Sequence, residues 1–381
     1  MPAAQRVLII GGGFSGMAAA IALRRRGIDV DLVEIDPQWR SYGAGISLSG
    51  PTLRAFAALD VIGEIARLGF CGDNCDICAA DGRLLTYIPT PRIAGPDVPG
   101  GGGIMRPALA KIMADATRAS GASVRLGCTF TQLDPGSLDA GGKDLASIAF
   151  DDGSAQRYDL VIGADGLNSS VRAAILPDAP RPKYTGQGVW RAVVPRPPEI
   201  VRAAIYMGRR HKAGVNPVSQ REMYLFLTED RATNEYVPTD QLLPQLGALL
   251  AEFTAPVIAQ IRAGLSHASR IVYRPLEGLL VQLPWNKGRV LLIGDAVHAT
   301  TPHLASGAGL GIEDGLVVAE ELAAGGTLAS ALERFQQRRW ERCRLVVENS
   351  LRLGDLERSG GSQQEHADLM RNSMMALLQP I

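Results

Sequence analysis

The chain has 381 residues, 46% of them hydrophobic, with 39 basic side chains against 39 acidic ones. This length and apolar content fill the cores of two domains and exclude a disordered polymer. Balanced charge, with basic residues single or in short runs such as RRR at 24–26, argues against nucleic acid or an anionic membrane as partner. There is no long apolar export signal, and no run approaches about eighteen uncharged apolar residues, so a cytoplasmic protein off the membrane is expected.

In chain order, VLII at 7–10 reads as a strand, GGGFSG as a turn, and MAAAIALRRRG as a helix whose apolar face recurs until Gly27. In this setting Gly11 makes a tight turn, Gly13 admits a pyrophosphate, and Gly16 lets helix and strand pack closely at a helix N-terminus. A second strand, DVDLVE, ends on Glu34, near the spacing at which a carboxylate meets a ribose hydroxyl. These features agree on a bound dinucleotide without saying which one.

CGDNCDIC at 71–78 has the CxxxCxxC spacing of some iron–sulfur enzymes. However, ICAADGRLLTYI reads as two short strands about an Asp81-Gly82 turn, with Cys78 and Ile77 on opposite faces, so small core cysteines are the simpler reading. The Gly100–Gly103 run follows no strand and reads as a flexible linker. LVIGADGLNSSVR at 160–172 and RVLLIGDAVHATTP at 289–302 are strands that each deliver a carboxylate from a strand end, Asp165 and Asp295.

Between them, GVWRAVVP, AAIYMG and EMYLFLT are strand-like, and QLLPQLGALLAEFTAPVIAQI reads as one amphipathic helix. The segment after Leu328 reads as a long amphipathic helix. The Met-rich end, MRNSMMALLQPI, covers a subunit or lies loose. His298 and His303 lack helical i, i+4 pairing and a nearby acidic or cysteine cluster in sequence, so no metal is expected.

GGGFSG with Glu34, GADGLNSSVR and GDAVHATTPHLASGAGLGIEDG, in that order, resemble the three signature segments of the single-component flavoprotein aromatic hydroxylases over residues 5 to about 355. The resemblance implies an α/β fold: a Rossmann-like FAD-binding domain of residues 1–70, 100–183 and 272–355 with an inserted β-sheet-plus-helix substrate domain of 71–99 and 184–271, then a tail of 356–381. It implies that the first segment binds the ADP part of FAD, that Asp165 serves the FAD and NAD(P)H pyrophosphates, and that Asp295, beside Gly294, binds the flavin ribityl or ribose. Backbone amides around Gly307, Ala308 and Gly309 would face the isoalloxazine edge, and Pro302 would sit over the flavin. Arg40 and Arg106 match positions suited to phosphate or flavin carbonyl contact. Ile35 stands where the family often has Arg, which removes one adenosine contact.

The implied activity is a monooxygenase with two half-reactions: NADH or NADPH reduces FAD, and dioxygen then forms a flavin C4a-hydroperoxide that hydroxylates a small hydroxylated aromatic or N-heteroaromatic compound. The substrate needs a group that deprotonates or polarises a ring hydroxyl. Tyr224 is the first candidate. His211, Lys212 and Arg191 are candidates to hold an anionic substrate or its hydroxyl, and His303 to approach from the flavin side. Ser47 stands where several relatives carry a larger polar ring. A flavin oxidoreductase without oxygen transfer and a non-enzymatic dinucleotide sensor are the alternatives. No flavin-halogenase WxWxIP segment is present, and a monomer or homodimer is expected.

Overall fold

The computed structural model describes residues 1–41, 43–138, 144–266 and 269–381. A six-stranded sheet lies at its centre, in the order Asn286–Lys287, Val290–Leu292, Leu160–Gly163, Arg6–Ile10, Asp29–Glu34 and Ser123–Leu126. All neighbours are parallel except the first pair. The three inner strands are short and nearly all apolar because helices cover both faces: Val7, Leu8, Ile9, Leu160, Val161, Ile162, Leu291 and Leu292 are fully buried. The Ala-rich helix Phe14–Arg24 packs on the helix Gly307–Ala323.

The register sets the ends of the three inner strands level, with Ile10 beside Gly163 and Gly163 beside Leu292. Backbone bonds carry the pairing one step further, from Ala164 N to the Ile10 carbonyl at 2.8 Å and from Ile293 N to the Gly163 carbonyl at 3.0 Å. Three segments far apart in sequence therefore emerge together at the carboxyl ends of parallel strands, where open α/β sheets bind ligands.

A second, seven-stranded sheet runs Arg270–Gly278, Lys183–Pro195, Glu222–Asp230, Lys212–Pro217, Ala203–Met207, Cys75–Ala79 and Leu84–Ile88. Period-two alternation splits its residues. Trp190, Leu225, Leu227, Tyr206 and Cys78 pack with Leu246, Leu250 and Ile258 of two helices, whereas Val193 and Tyr224 face the other way, against Ala44 and Val218. The Asp81-Gly82 turn and the burial of Cys78 match the sequence reading; all five cysteines are free thiols.

Three expectations need correction, and one strand escaped the sequence. The apolar run after residue 240 forms two helices, Thr239–Leu250 and Pro256–Gly264, because Pro256 starts a new first turn and Phe253 and Ala255 dip into the core between them. The strand Lys212–Pro217 was not foreseen, since its glycine and terminal proline disguise it. The glycine run is no linker: Gly101–Met105 is the central strand of a small sheet with Gly45–Ser49 and Phe70–Gly72. A β-carbon on Gly103 would strike the Pro217 carbonyl, so its bareness lets the small sheet abut the large one. The Met-rich end is the helix Gln363–Leu378, docked on the long helix Leu328–Ser359.

Candidate active site

The glycine turn is built for close approach. Gly11 has φ 107°, and a β-carbon there would lie 2.5 Å from the Ala164 carbonyl; one on Gly16 would collide with the Gly11 carbonyl. Gly13, by contrast, has nothing within 4 Å on that side. The open space lies at the N-terminus of the helix Phe14–Arg24, whose first N–H groups and dipole favour an anion. Glu34 accepts from Gly12 N at 2.7 Å and Asp36 N at 2.8 Å, one on each oxygen, and keeps lone pairs for a ribose hydroxyl. Trp39, absent from the sequence reading, covers the turn by donating to the Gly12 carbonyl at 2.7 Å. Arg40 is turned to its own loop, 3.0 Å from Asp36.

Asp165 organises the second segment by accepting from Ser169 Oγ at 2.5 Å and Val171 N at 3.0 Å. Arg172, also missed, is buried and donates to the carbonyls of Leu167 and Ala296, each at 2.8 Å, tying this segment to the third. In the third segment Asp295, Pro302 and Ala305 keep open surface between buried neighbours, as does Gly13 in the first; Gly294 lies against Ser15, which brings Asp295 to a recess at the N-terminus of the first helix. Protein crowds Asp295 on its other sides, and this burial raises its carboxyl pKa against the pull of His298 and Arg106. The same effect lowers Arg106, which lies over the Phe14 ring at 5.4 Å. Among the described residues, no hydrogen bond or ion pair holds either group. An open anion cradle, an uncommitted acid and an uncommitted guanidinium on one recess fit a bound FAD.

His298 turns away from the recess into a buried charge network. Its Nε2 is 2.6 Å from Asp314, which also accepts from Gly294 N at 2.9 Å and Arg339 Nε at 2.7 Å. Burial alone would raise the Asp314 carboxyl, but His298 and Arg339 outweigh it and hold it well below the usual range. The sequence reading found no acidic or cysteine cluster near His298. The fold supplies an acid and a cysteine, since Asp314 and Cys343 arrive from later helices with ligand atoms within 4.8 Å of one another. The Arg339 guanidinium already provides the positive charge at the carboxylate, where a metal ion would have to compete with it.

On the substrate side, Tyr224 is buried, and its hydroxyl lies 2.5 Å from Ser47 Oγ. Asn216 Nδ2 donates to Ser47 Oγ at 2.9 Å and to the Gly102 carbonyl at 3.2 Å. Asn216 was missed along with its strand. Arg191 stands opposite Phe226 and Val272 on the same face as Val193. Burial lowers its pKa; Tyr224 opposes that shift, while Arg106 and Arg274 add to it. Among the described residues it has no hydrogen bond or ion pair.

Three candidates are not free to act at this face. His211 Nδ1 is 2.6 Å from Glu252, beyond the helix Thr239–Leu250 on the opposite side of the sheet. Lys212 points the right way but its ammonium is taken by Glu357 at 2.6 Å. The His303 side chain is 1% exposed and turned inward, with Nδ1 2.8 Å from Thr301 Oγ1, whereas its neighbour Pro302 is exposed.

The family described as FAD binding domain matches residues 4–350. The chain is 32% identical to the 2-heptyl-3-hydroxy-4(1H)-quinolone synthase of Pseudomonas aeruginosa, over 98% of this chain and 94% of that one. It is 30% identical to the 3-hydroxybenzoate 6-hydroxylase of Polaromonas naphthalenivorans, over 98% and 92%. The crystal structure of Klebsiella pneumoniae HpxO with FAD and uric acid superposes with a TM-score of 0.80 at 23% identity, covering 99% of this chain and 93% of that one. Among the described residues no helix is long and apolar enough to cross a membrane.

Proposed function

Because the chain belongs to the FAD-binding-domain family and is an FAD-dependent monooxygenase, we propose that it hydroxylates a small hydroxylated aromatic or N-heteroaromatic compound bearing an anionic group, with NADH or NADPH as reductant. Its relatives' names include a hydroxybenzoate hydroxylase and urate hydroxylases. One observation carries the choice of substrate: Asp295, Arg106, Arg191 and Tyr224 form a line of groups, each acting electrostatically on the next, from the flavin segments to the substrate sheet. Two of them are guanidinium groups: Arg106 feels the Asp295 carboxylate, whereas no carboxylate among the described residues acts on Arg191. Crowding by protein disfavours both charges, although Arg106 keeps open surface and Arg191 is half-buried, and a substrate carboxylate or ring anion would relieve that cost.

Bound FAD supplies hydride acceptance and oxygen activation, with the turn at Gly11–Gly16, Glu34, Asp165 and Asp295 as its holders. The protein's own part is orientation. Arg191 fixes the anionic end of the ring. Asn216 donates to Ser47, which leaves the Ser47 proton free to point at the Tyr224 oxygen; the Tyr224 O–H then points outward, to a substrate hydroxyl. A hydrogen bond to that hydroxyl fixes the ring carbon that faces the flavin and polarises it for attack. Pro302 and Ala305, both exposed, would offer a carbon surface to the flavin side of the site.

The test is NAD(P)H oxidation by the purified yellow protein over hydroxybenzoates, pyridine carboxylates and purines, with hydrogen peroxide measured alongside. A compound that accelerates oxidation with little peroxide identifies the substrate class. Acceleration only by uncharged phenols would overturn the anionic requirement, and peroxide equal to NAD(P)H for every compound would exclude these three classes.

A further inference from the structure

Four side chains meet behind the flavin-facing turn, outside the substrate cleft. Glu357, near the C-terminal end of the helix Leu328–Ser359, is largely buried, and its Oε1 accepts from Lys212 Nζ at 2.6 Å and lies 3.0 Å from His366 Nε2. Its Oε2 is 3.5 Å from Nε2 of His303. That gap is long for a hydrogen bond, and this nitrogen is buried without a hydrogen-bond partner among the described residues. The groups come from four elements: a strand of the substrate sheet, the turn Pro302–Leu304, the long helix and the last helix Gln363–Leu378.

The charges explain the geometry. Burial would raise the Glu357 carboxyl, but Lys212, His303 and His366 outweigh it, so Glu357 stays ionised. Burial holds the His303 imidazole below its ordinary pKa; Glu357 opposes this, and Lys212 and His366 add to it. Near neutral pH one carboxylate is thus shared by one ammonium and two rings, with His303 the least satisfied. His303 is also the residue next to Pro302, in a turn of three residues, so the placing of its ring sets the placing of Pro302.

We propose that Glu357 is a positioning residue for oxygen transfer: it is hydrogen-bonded to Lys212 of the substrate sheet and to His366 of the C-terminal helix and faces His303 of the turn Pro302–Leu304 across 3.5 Å by charge alone, so that changing the charge at this junction moves the turn against the flavin. This rests on the reading that Pro302 faces the flavin. The groups facing His303 are Glu357 from the long helix, Lys212 from the sheet and His366 from the last helix.

The experiment follows the absorbance of bound FAD, and the ratio of peroxide to NAD(P)H consumed, across about pH 5 to 9 in the holoenzyme and in Glu357→Gln, Glu357→Asp, Lys212→Met and Pro302→Ala. The wild type is expected to show one transition. Lys212→Met moves it to higher pH by on the order of one unit, because a repelling cation is gone. Glu357→Gln moves it lower or abolishes it and raises the peroxide ratio about threefold, and Glu357→Asp falls between. If Pro302→Ala alters both readouts while Glu357→Gln and Lys212→Met alter neither, the placement of Pro302 stands and the proposal is overturned. If Pro302→Ala alters nothing, the placement itself fails and the proposal falls with it. Should Glu357→Gln not fold, the double variant Lys212→Met/Glu357→Leu replaces the pair with apolar groups; an unchanged peroxide ratio there also overturns the proposal.

Discussion

At the parallel sheet, Gly11, Asp165 and Asp295 each lie one to three residues beyond the end of their own strand, and each belongs to a continuous segment that carries its own turn and helix. On the seven-stranded sheet, Tyr224, Asn216 and Arg191 come from the interiors of three strands and become neighbours only through cross-strand register. On the proposed reading, a cofactor shared by many enzymes would be held by backbone geometry, which glycines and strand ends encode locally. A particular substrate would be held by side chains whose meeting depends on how strands are ordered.

The sharpest way to break the first region is Gly16→Val, whose side chain would drive into the Gly11 carbonyl. The expected product binds no FAD, read as the flavin-to-protein ratio of whatever remains soluble. Next in size is Asp314→Ala, which takes from the buried Arg339 one of its two carboxylates, Glu313 at 3.0 Å remaining, and takes from His298 its partner; it should cost about 3 kcal/mol, seen as a lower midpoint of thermal unfolding. Asp314 also gives a pH signature. Its folded pKa is depressed, so its contribution is full above the unfolded value of about 3.9 and is lost as pH falls through the folded value. Below about pH 4 the variant's deficit relative to wild type should shrink, and a deficit that grows on acidification would contradict the assigned sign.

In the second region the effects are smaller and specific to substrate. Arg191→Met should lower kcat/KM for an anionic substrate about 100-fold while FAD content stays unchanged; equal losses for charged and neutral compounds would remove its proposed role. Tyr224→Phe should lower kcat about tenfold with little change in KM, and a change in KM alone would make Tyr224 a binding group. The smallest effect belongs to His211→Asn. With its ring against Glu252 on the helix side, kcat/KM should stay within about twofold of wild type.

The legible part of the fold follows the same division. Strand, turn, helix and terminal acid at residues 7–34 were readable because each is a short-range pattern, and the third segment because glycines, Pro302 and a following helix agree within it. Asn216 was unreadable because KAGVNP has weak strand character and is held by its neighbours Ala203–Met207 and Glu222–Asp230. Arg172 was unreadable as an anchor because its acceptors include a carbonyl at Ala296, 124 residues away. His211 and Lys212 are adjacent in sequence, and alternation sends one toward the helices and the other toward Glu357, so their common appearance as substrate binders was bound to separate.

The sequence by itself determined the dinucleotide turn, the order of the three flavin segments and the existence of a strand-rich inserted domain, because backbone dihedrals and apolar periodicity are set by near neighbours. Only the tertiary structure decided which charges remain free to act. It paired Lys212, His303 and His298 with Glu357, Thr301 and Asp314, and it left Arg191, Arg106 and Asp295 without such partners among the described residues. Pairing depends on distances of a few ångströms between residues tens or hundreds apart in the chain, and no local pattern carries that information.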